Sequence, residues 1–219
     1  MLEKPIRVAI ADDHTLFRKG MTMMVGGFEK VEVIADFPNG KEALNFLKQN
    51  PIDIVLLDLD MPVLDGWETS RKIISKYPGI HVIIISMNES LEVIAELIEI
   101  GVHSYLLKNA EPDEVKRAIH SVMNNDFYYN QLVSKALRQN IQRTNFKKPT
   151  HQDQASLTKR EIEVLELICK EMTVKEISEE LHLSEQTIQT HRKHMMKKIN
   201  AKNGVSLVRY AIQNQIVSF

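Results

Sequence analysis

The chain has 219 residues, of which 43% are hydrophobic and 26% charged, and this composition excludes a disordered or fibrous protein. No apolar run approaches the ~18 to 20 residues that cross a bilayer, and the first residues lack a signal-peptide pattern, so we expect a cytoplasmic protein that does not contact a membrane. The single cysteine, Cys169, cannot form an internal disulfide. It is predicted to be a small core residue in a reducing compartment rather than a redox sensor.

The net charge of −1 is unevenly divided along the chain. Residues 1–124 carry 13 Lys and Arg against 19 Asp and Glu, whereas residues 125–219 carry 15 against 10. The two parts therefore have net charges of −6 and +5, which predicts two modules with different partners. The acidic module suits a cation, and the basic module suits nucleic acid or an anionic lipid surface. Attraction between the two modules could also mask the basic one.

Apolar runs alternate with amphipathic stretches in residues 1–124. Five strands are predicted at residues 6–11, 31–35, 52–57, 81–85 and 104–107. A helix is predicted after each strand. Four of them cover about residues 14–25, 40–50, 65–77 and 111–123, and the one that follows the fourth strand ends at Ile100. Because nearly continuous apolar strands alternate with helices, the pattern predicts an α/β, flavodoxin-like, doubly wound domain with a parallel five-stranded sheet.

The pattern changes after Met123. A further helix is predicted from Leu132 to Ile141, and residues 144–155 are polar and aperiodic, so residues 125–154 are interpreted as a helical linker and flexible segment. Residues 155–219 predict a small all-α domain of four helices. The start of each helix is marked by a residue that can cap it, namely Thr158, Thr173, Ser184 and Asn203.

Polar side chains follow four of the predicted strands where each strand ends. They are Asp12 and Asp13, Asp58, Ser86 and Lys108. Any single acid among them could be only a helix cap or turn residue, but the carboxyl ends of parallel strands meet at one edge of a sheet, so the set predicts a site. Paired carboxylates suit Mg²⁺, and a carboxylate beside the metal can attack phosphorus to form an aspartyl phosphate. The lysine and the metal would neutralise the phosphoryl oxygens.

These residues resemble a known domain. Asp12-Asp13, Asp58-Leu59-Asp60-Met61-Pro62, Asp65-Gly66, Ser86 and Tyr105-Leu106-Leu107-Lys108 together resemble the receiver domain of bacterial response regulators, over residues ~5 to 124. The resemblance implies that Asp58 is the phosphoacceptor and that a sensor histidine kinase supplies the phosphoryl group from a phosphohistidine. It also implies that Ser86 and Tyr105 move on phosphorylation and that Lys108 pairs with the phosphate.

The same resemblance implies a Mg²⁺ site. Asp13 would bind the metal directly and Asp12 largely through water, while Asp58 and the backbone carbonyl of Asp60 complete the protein ligands. His14 follows the acidic pair, and we interpret it as a helix-start residue in preference to a metal ligand.

Residues 184–199 form a predicted helix with one apolar and one basic face. No acidic residue occurs between Gln186 and Phe219, and a one-sign charge run of this kind is better explained by phosphate contacts than by a solvated face. A short capped helix at residues 174–181 precedes it. The pair predicts a helix-turn-helix whose second helix enters the major groove of DNA.

Residues ~155 to 215 resemble the LuxR-type DNA-binding domain. The matching residues are Leu157-Thr158-Lys159-Arg160-Glu161, Glu163-Val164-Leu165, Lys175-Glu176-Ile177-Ser178, Leu183-Ser184-Glu185-Gln186-Thr187-Ile188, His191 and Lys198-Ile199-Asn200. The whole chain thus resembles a NarL/FixJ-type response regulator, a phosphorylation-controlled transcription factor rather than a turnover enzyme. Double-stranded promoter DNA is the implied partner, and the last helix implies a homodimer in the phosphorylated state.

The expected DNA contacts divide into two groups. Gln189, Thr190 and Lys193 are expected at base edges, and the polar face of the same helix also carries Gln186. The residues expected at phosphates are Lys175, Thr187, Arg192, Lys197 and Lys198.

The motifs leave two alternative functions open. Asp58-Leu59-Asp60 also resembles the Asp-x-Asp of haloacid-dehalogenase phosphohydrolases, although that motif normally follows the first strand and Asp12-Asp13 would then be unexplained. The other alternative is a DNA-binding protein whose receiver no longer accepts phosphate. The intact set of Asp13, Asp58, Ser86 and Lys108 argues against it.

Overall fold

A computed structural model of the chain describes residues 4–143, 157–170, 172–201 and 203–217. For residues 141–143 it describes the backbone but not the side chains. The first module contains β1 (Ile6–Ala11), α1 (Thr15–Gly26), β2 (Val31–Phe37), α2 (Gly40–Leu47), β3 (Ile54–Leu57), α3 (Gly66–Lys76), β4 (His81–Ser86), α4 (Leu91–Ile100), β5 (Ser104–Leu107) and α5 (Pro112–Asn125). Then follow α6 (Gln131–Arg143), α7 (Lys159–Cys169), α8 (Val174–Glu180), α9 (Glu185–Lys198) and α10 (Gly204–Gln213). The flexible segment predicted before residue 155 lies outside the described residues.

The five strands form one parallel sheet in the order β2-β1-β3-β4-β5. This is the strand order of flavodoxin-like doubly wound domains, so the predicted fold class is confirmed. The order reverses between β1 and β3, and in such sheets the ligand crevice lies at that switch point, outside the carboxyl ends of the strands.

Both faces of the sheet are covered by apolar side chains, because successive strand residues point to opposite sides. Val8 and Ile10 pack with α1 and α5 residues such as Val25 and Ile119 on one face. Ala9 and Ala11 belong to the cluster on the other face, which also contains α2, α3 and α4 residues and continues into the helical second module. The two modules therefore share one continuous apolar core.

The predicted caps of the second module are all present. Thr158 and Thr173 each form a capping box with a glutamate three residues later, Glu161 and Glu176. The side chain of Ser184 accepts from Thr187 N and that of Asn203 from Ser206 N. Because these bonds satisfy amide groups that helix starts leave free, they fix where each short helix begins.

Cys169 is buried at the end of α7, and burial raises the pKa of its thiol to about 12, so the thiol stays protonated and unreactive at neutral pH.

None of the described helices is both long and apolar enough to cross a membrane.

Candidate functional site

The sheet brings the polar strand ends together at the predicted edge. Asp58 N donates to the carbonyl of Ala11 at 2.8 Å, so the end of β3 lies beside that of β1. Lys108 N donates to the carbonyl of Ser86 at 2.9 Å, which joins β5 to β4. The carboxylates, the hydroxyl and the ammonium therefore converge on one edge, as the sequence predicts.

Lys108 is the centre of this group. Its Nζ lies 2.7 Å from Asp12 Oδ2 and 2.8 Å from Asp58 Oδ2, and its side chain is only 8% exposed. Burial opposes the charge of Lys108, but the bonds to the two carboxylates outweigh it and raise the pKa of the ammonium. The lysine thus supplies a fixed positive charge between Asp12 and Asp58.

The carboxylate oxygens of the site outnumber the hydrogen-bond donors around them. Burial raises the pKa of Asp58, with the bond to Lys108 opposing it and the charge of Asp12 reinforcing it. Oδ1 of Asp13 is buried without a hydrogen-bond partner. Because an orphaned buried oxygen beside two further carboxylates matches the oxygen ligands of a hard divalent cation, the residues of this site fit Mg²⁺.

The Asp65-Gly66 motif positions the loop that carries Asp58. Asp65 caps α3 by accepting from Glu68 N at 2.8 Å. Gly66 lies so close to the Asp58 backbone that an added Cβ would overlap its carbonyl oxygen and come within 2.8 Å of Leu59 Cα. Only glycine lets α3 start this close to the end of β3.

Ser86 and Tyr105 are linked through the loop after β4. Ser86 is fully buried, and its Oγ accepts from Asn88 N at 3.2 Å. The Tyr105 hydroxyl donates to the Asn88 carbonyl at 2.6 Å, and burial raises the pKa of this phenol to about 12. Asn130, which precedes α6, donates to the Tyr105 carbonyl at 3.2 Å. The candidate switch residues are thus tied to the linker helix.

Arg18 is a residue of this site that the sequence analysis missed. It is buried on α1, its Nη1 donates to the Asp12 carbonyl at 2.5 Å, and its Nε donates to Asp36 Oδ2 at 2.7 Å. The guanidinium thus joins the loop after β1 to the end of β2. Its position on the buried stripe that contains Met21 and Val25 is the sequence signal that marks it.

The proposed DNA-contact residues are not equally accessible. Exposed side chains of α8 and α9 include Lys175, Gln186, Thr190, Lys193, Lys197 and Lys198, although Lys198 is paired with Glu161 at 2.7 Å. Thr187 is half-buried, with its hydroxyl 2.8 Å from that of Ser184. Gln189 and Arg192 contact the first module instead.

Helix α9, the predicted recognition helix of the helix-turn-helix, packs against the end of α5. Gln189 Nε2 donates to the Asn124 carbonyl at 3.1 Å, and Arg192 donates to the Asn125 carbonyl. Arg192 is only 4% exposed, and its guanidinium lies 5.7 Å from the ring centre of Phe127. Both side chains are therefore engaged by the end of the first module.

A second contact between the modules involves the start of α10. Asn203 Nδ2 donates to the Val102 carbonyl at 3.0 Å, and Arg209 pairs with Glu99 of α4 at 3.1 Å. Gly204 is so close to Phe127 that an added Cβ would overlap the ring. The helix that is predicted to mediate dimerisation thus lies against the first module.

A further group of potential ligands lies near this interface. His81 Nε2 is 3.1 Å and His103 Nε2 3.9 Å from Asp126 Oδ1. Burial lowers the pKa of His103 to about 4, and its Nδ1 accepts from Val82 N at 3.1 Å. The neutral ring must then carry its proton on Nε2, which therefore cannot bind a metal.

Comparison with known families agrees with both modules. Residues 8–120 match the response regulator receiver domain, and residues 155–211 match the luxR family of bacterial regulatory proteins. The chain is 31% identical to the oxygen regulatory protein NreC of Staphylococcus carnosus over 98% of this chain and 100% of that one. It is 30% identical to the response regulator UvrY of Escherichia coli over 95% and 94%, respectively.

Solved structures share the architecture. The response regulator ChrA of a heme-sensing two-component system matches with a TM-score of 0.53 and 27% identity, over 97% of this chain and 99% of that one. RcsB of Salmonella enterica, solved on promoter DNA, matches with a TM-score of 0.59 over 96% and 100% at 24% identity, which shows the fold alone. The chain belongs to the NarL/FixJ-type response regulators, two-component transcriptional regulators with a receiver and a LuxR-type DNA-binding domain.

Proposed function

We propose that Mg²⁺-dependent phosphorylation of Asp58 by a sensor histidine kinase switches the binding of this protein to promoter DNA. The observation that carries the proposal is the placement of Asp58 beside Lys108 and Asp12 at the switch point of the sheet. An Asp58 oxygen would form the new P–O bond as the P–N bond to the kinase histidine breaks, and the histidine nitrogen would retain the electron pair. The proposed receiver comprises residues 1–124, and the proposed DNA-binding domain residues 155–219.

The acidic residues of the site are proposed to hold Mg²⁺. Asp13 and Asp58 would bind it with Asp12 acting largely through water, and the exposed Asp60 would contribute its backbone carbonyl. The bound cation would neutralise charge that develops on the phosphoryl oxygens. Lys108, now paired with both Asp12 and Asp58, would pair with the phosphoryl group, and the Ser86 hydroxyl and Tyr105 would change position with it.

Arg18 is expected to set the affinity of this metal site. The Arg18 guanidinium donates to the Asp12 carbonyl and to the Asp36 carboxylate at the same time. Arg18→Lys keeps the positive charge, but a lysine cannot reproduce this two-point geometry. We expect Mg²⁺ affinity to fall about tenfold, as for residues that orient metal ligands. Calorimetric titration with Mg²⁺ measures it.

The control for Arg18→Lys is Arg7→Lys. The Arg7 guanidinium also makes two bonds, both to the Asp53 carboxylate at the opposite end of the sheet: Nε donates at 3.0 Å and Nη2 at 2.7 Å. This variant should leave Mg²⁺ affinity unchanged even if it unfolds at a lower temperature. Equal losses of Mg²⁺ affinity in the two variants would show that Arg18 acts only through general stability.

The kinase is proposed to dock on the exposed face of α1. Leu16 is 88% and Met23 80% exposed, and with Gly20 between them they form an apolar stripe beside the acidic site. Leu16→Glu is expected to slow phosphoryl transfer from the kinase at least about tenfold, the effect of losing an interface hot spot. Transfer from acetyl phosphate, which needs no docking surface, should keep its rate. Equal slowing with both donors would place the defect in the site itself.

The DNA-binding step is proposed to require separation of the modules. Gln189 and Arg192 are held by the α5 terminus, and α10 lies against α4 and α6, so the unphosphorylated chain masks part of its DNA-binding face and its dimer helix. Phosphorylation would shift the equilibrium toward the open form, which binds promoter DNA as a homodimer in the cytoplasm. The change would pass from Tyr105 through Asn130 to α6.

Incubation of the full-length protein with Mg²⁺ and acetyl phosphate tests this function. We expect stable phosphate incorporation that EDTA prevents, accompanied by tighter binding to a fragment of its own promoter. Steady release of phosphate from many substrates would instead identify a phosphohydrolase, since a response regulator is not a turnover enzyme. Unchanged DNA binding without incorporation would identify a receiver that no longer accepts phosphate.

A further inference from the structure

The side chain of His14, although 68% exposed, lies against the acidic site. His14 occupies the N-cap position of α1, but its side chain makes no capping bond. Its Nδ1 lies 3.0 Å from Asp13 Oδ1 and 3.5 Å from Asp12 Oδ1. One ligand atom each of Asp12, Asp13, His14 and Asp58 lies within 4.8 Å of the others. An imidazole nitrogen therefore belongs to the same constellation as the three carboxylates.

The local hydrogen bonds leave the lone pair of this nitrogen available. Lys108 Nζ lies 3.4 Å from His14 Nδ1, and an ammonium group can only donate, so Nδ1 can act as the acceptor. Asp13 Oδ1, which faces the same nitrogen, is buried and has no hydrogen-bond partner. When Nδ1 carries no proton, this nitrogen and the Asp13 oxygen 3.0 Å away each offer a lone pair to one shared cation.

We propose that His14 is a nitrogen ligand of the divalent cation and that it gives the site a preference for Mn²⁺ over Mg²⁺. The inference rests on the proposed metal site of this receiver. Mg²⁺ is a hard ion that takes oxygen ligands and keeps its waters, whereas imidazole suits transition metals. A site with one nitrogen and several carboxylate oxygens accommodates Mn²⁺ with all its protein ligands. For Mg²⁺, the histidine contributes little.

The test uses Mn²⁺ as a spectroscopic probe of the full-length protein. Pulsed EPR on bound Mn²⁺ detects the magnetic coupling of a coordinated imidazole nitrogen, and calorimetry gives the affinities for Mn²⁺ and Mg²⁺. We expect nitrogen coupling in the wild type and none in His14→Ala. In that variant Mn²⁺ affinity should fall about tenfold or more, the scale of changes around metal sites, and Mg²⁺ affinity should stay within about twofold.

The second group of histidines supplies the matched control. His81 lies with His103 and Asp126 far along the chain from the acidic site, so His81→Ala should retain the nitrogen coupling. Coupling that disappears in His81→Ala but persists in His14→Ala would overturn the proposal by assigning the nitrogen to that group. Bound Mn²⁺ without nitrogen coupling in the wild type would also overturn it while leaving the oxygen site intact. If neither Mn²⁺ nor Mg²⁺ binds, the proposed metal site itself is refuted.

Discussion

Asp58→Asn is expected to abolish phosphate incorporation from acetyl phosphate, with a loss of more than about a thousandfold, as for other essential nucleophiles. The amide keeps the shape of the side chain but lacks the anionic oxygen that would attack phosphorus. DNA binding by this variant should no longer respond to the phosphodonor. Incorporation is measured by intact mass and DNA binding by fluorescence anisotropy with a promoter fragment.

The fold of this variant should be intact. Because burial raises the pKa of Asp58, its ionised form opposes folding above the ordinary carboxyl range, and a neutral amide removes that opposition. Thermal unfolding at pH 7 without metal is therefore expected at no lower temperature than in the wild type. The matched control is Asp60→Asn, which alters an exposed side chain but keeps the backbone carbonyl. Continued labelling of Asp58→Asn would assign phosphate acceptance to another residue.

Gly204→Ala is expected to raise the DNA affinity of the unphosphorylated protein about tenfold. The added methyl overlaps the Phe127 ring across the interface, and overpacking of this kind costs ~1–3 kcal/mol, which shifts the population toward separated modules. The DNA-binding domain itself should not suffer, because alanine suits the first turn of α10 better than glycine. Anisotropy titrations without phosphodonor measure the change.

Two controls separate the interface from other effects of Gly204→Ala. Gly20→Ala adds a methyl where no atom lies within 4 Å and should leave DNA affinity unchanged. Phe127→Ala removes the ring that meets the new methyl, so the double variant should bind DNA less tightly than the sum of the single effects predicts. DNA affinity equal to the wild type in Gly204→Ala would show that this contact does not mask the recognition helix.

The features that the sequence predicts well are local or periodic. The capping boxes at Thr158 and Thr173 need only residues three positions apart, and both are present. The alternation of strands and helices predicts a parallel sheet, whose carboxyl-end edge brings Asp58 and Lys108 together although 50 residues separate them. Predicted helix ends are less accurate. Helix α2 ends at Leu47 rather than at about residue 50.

The contacts between the modules were not predictable in the same way. Burial of Arg192 depends on a backbone carbonyl at Asn125 and a ring at Phe127, and neither leaves a periodic pattern. The sequence suggests masking only through the opposite net charges of the two parts. In the structure the modules are instead joined by close packing at Gly204 and by a few specific bonds, such as that of Gln189 to Asn124. Packing and register of this kind are tertiary properties that composition does not encode.

The position of α10 has a consequence for how the protein responds to its own abundance. Its contacts with α4 and α6 lie within one chain, so their free energy does not change with concentration. Association of two copies through the same helix, as proposed, would be bimolecular and would strengthen as the protein accumulates. Phosphorylation and synthesis of the protein would then act on the same equilibrium, and a cell with more of the protein would need a smaller phosphorylated fraction to occupy a promoter.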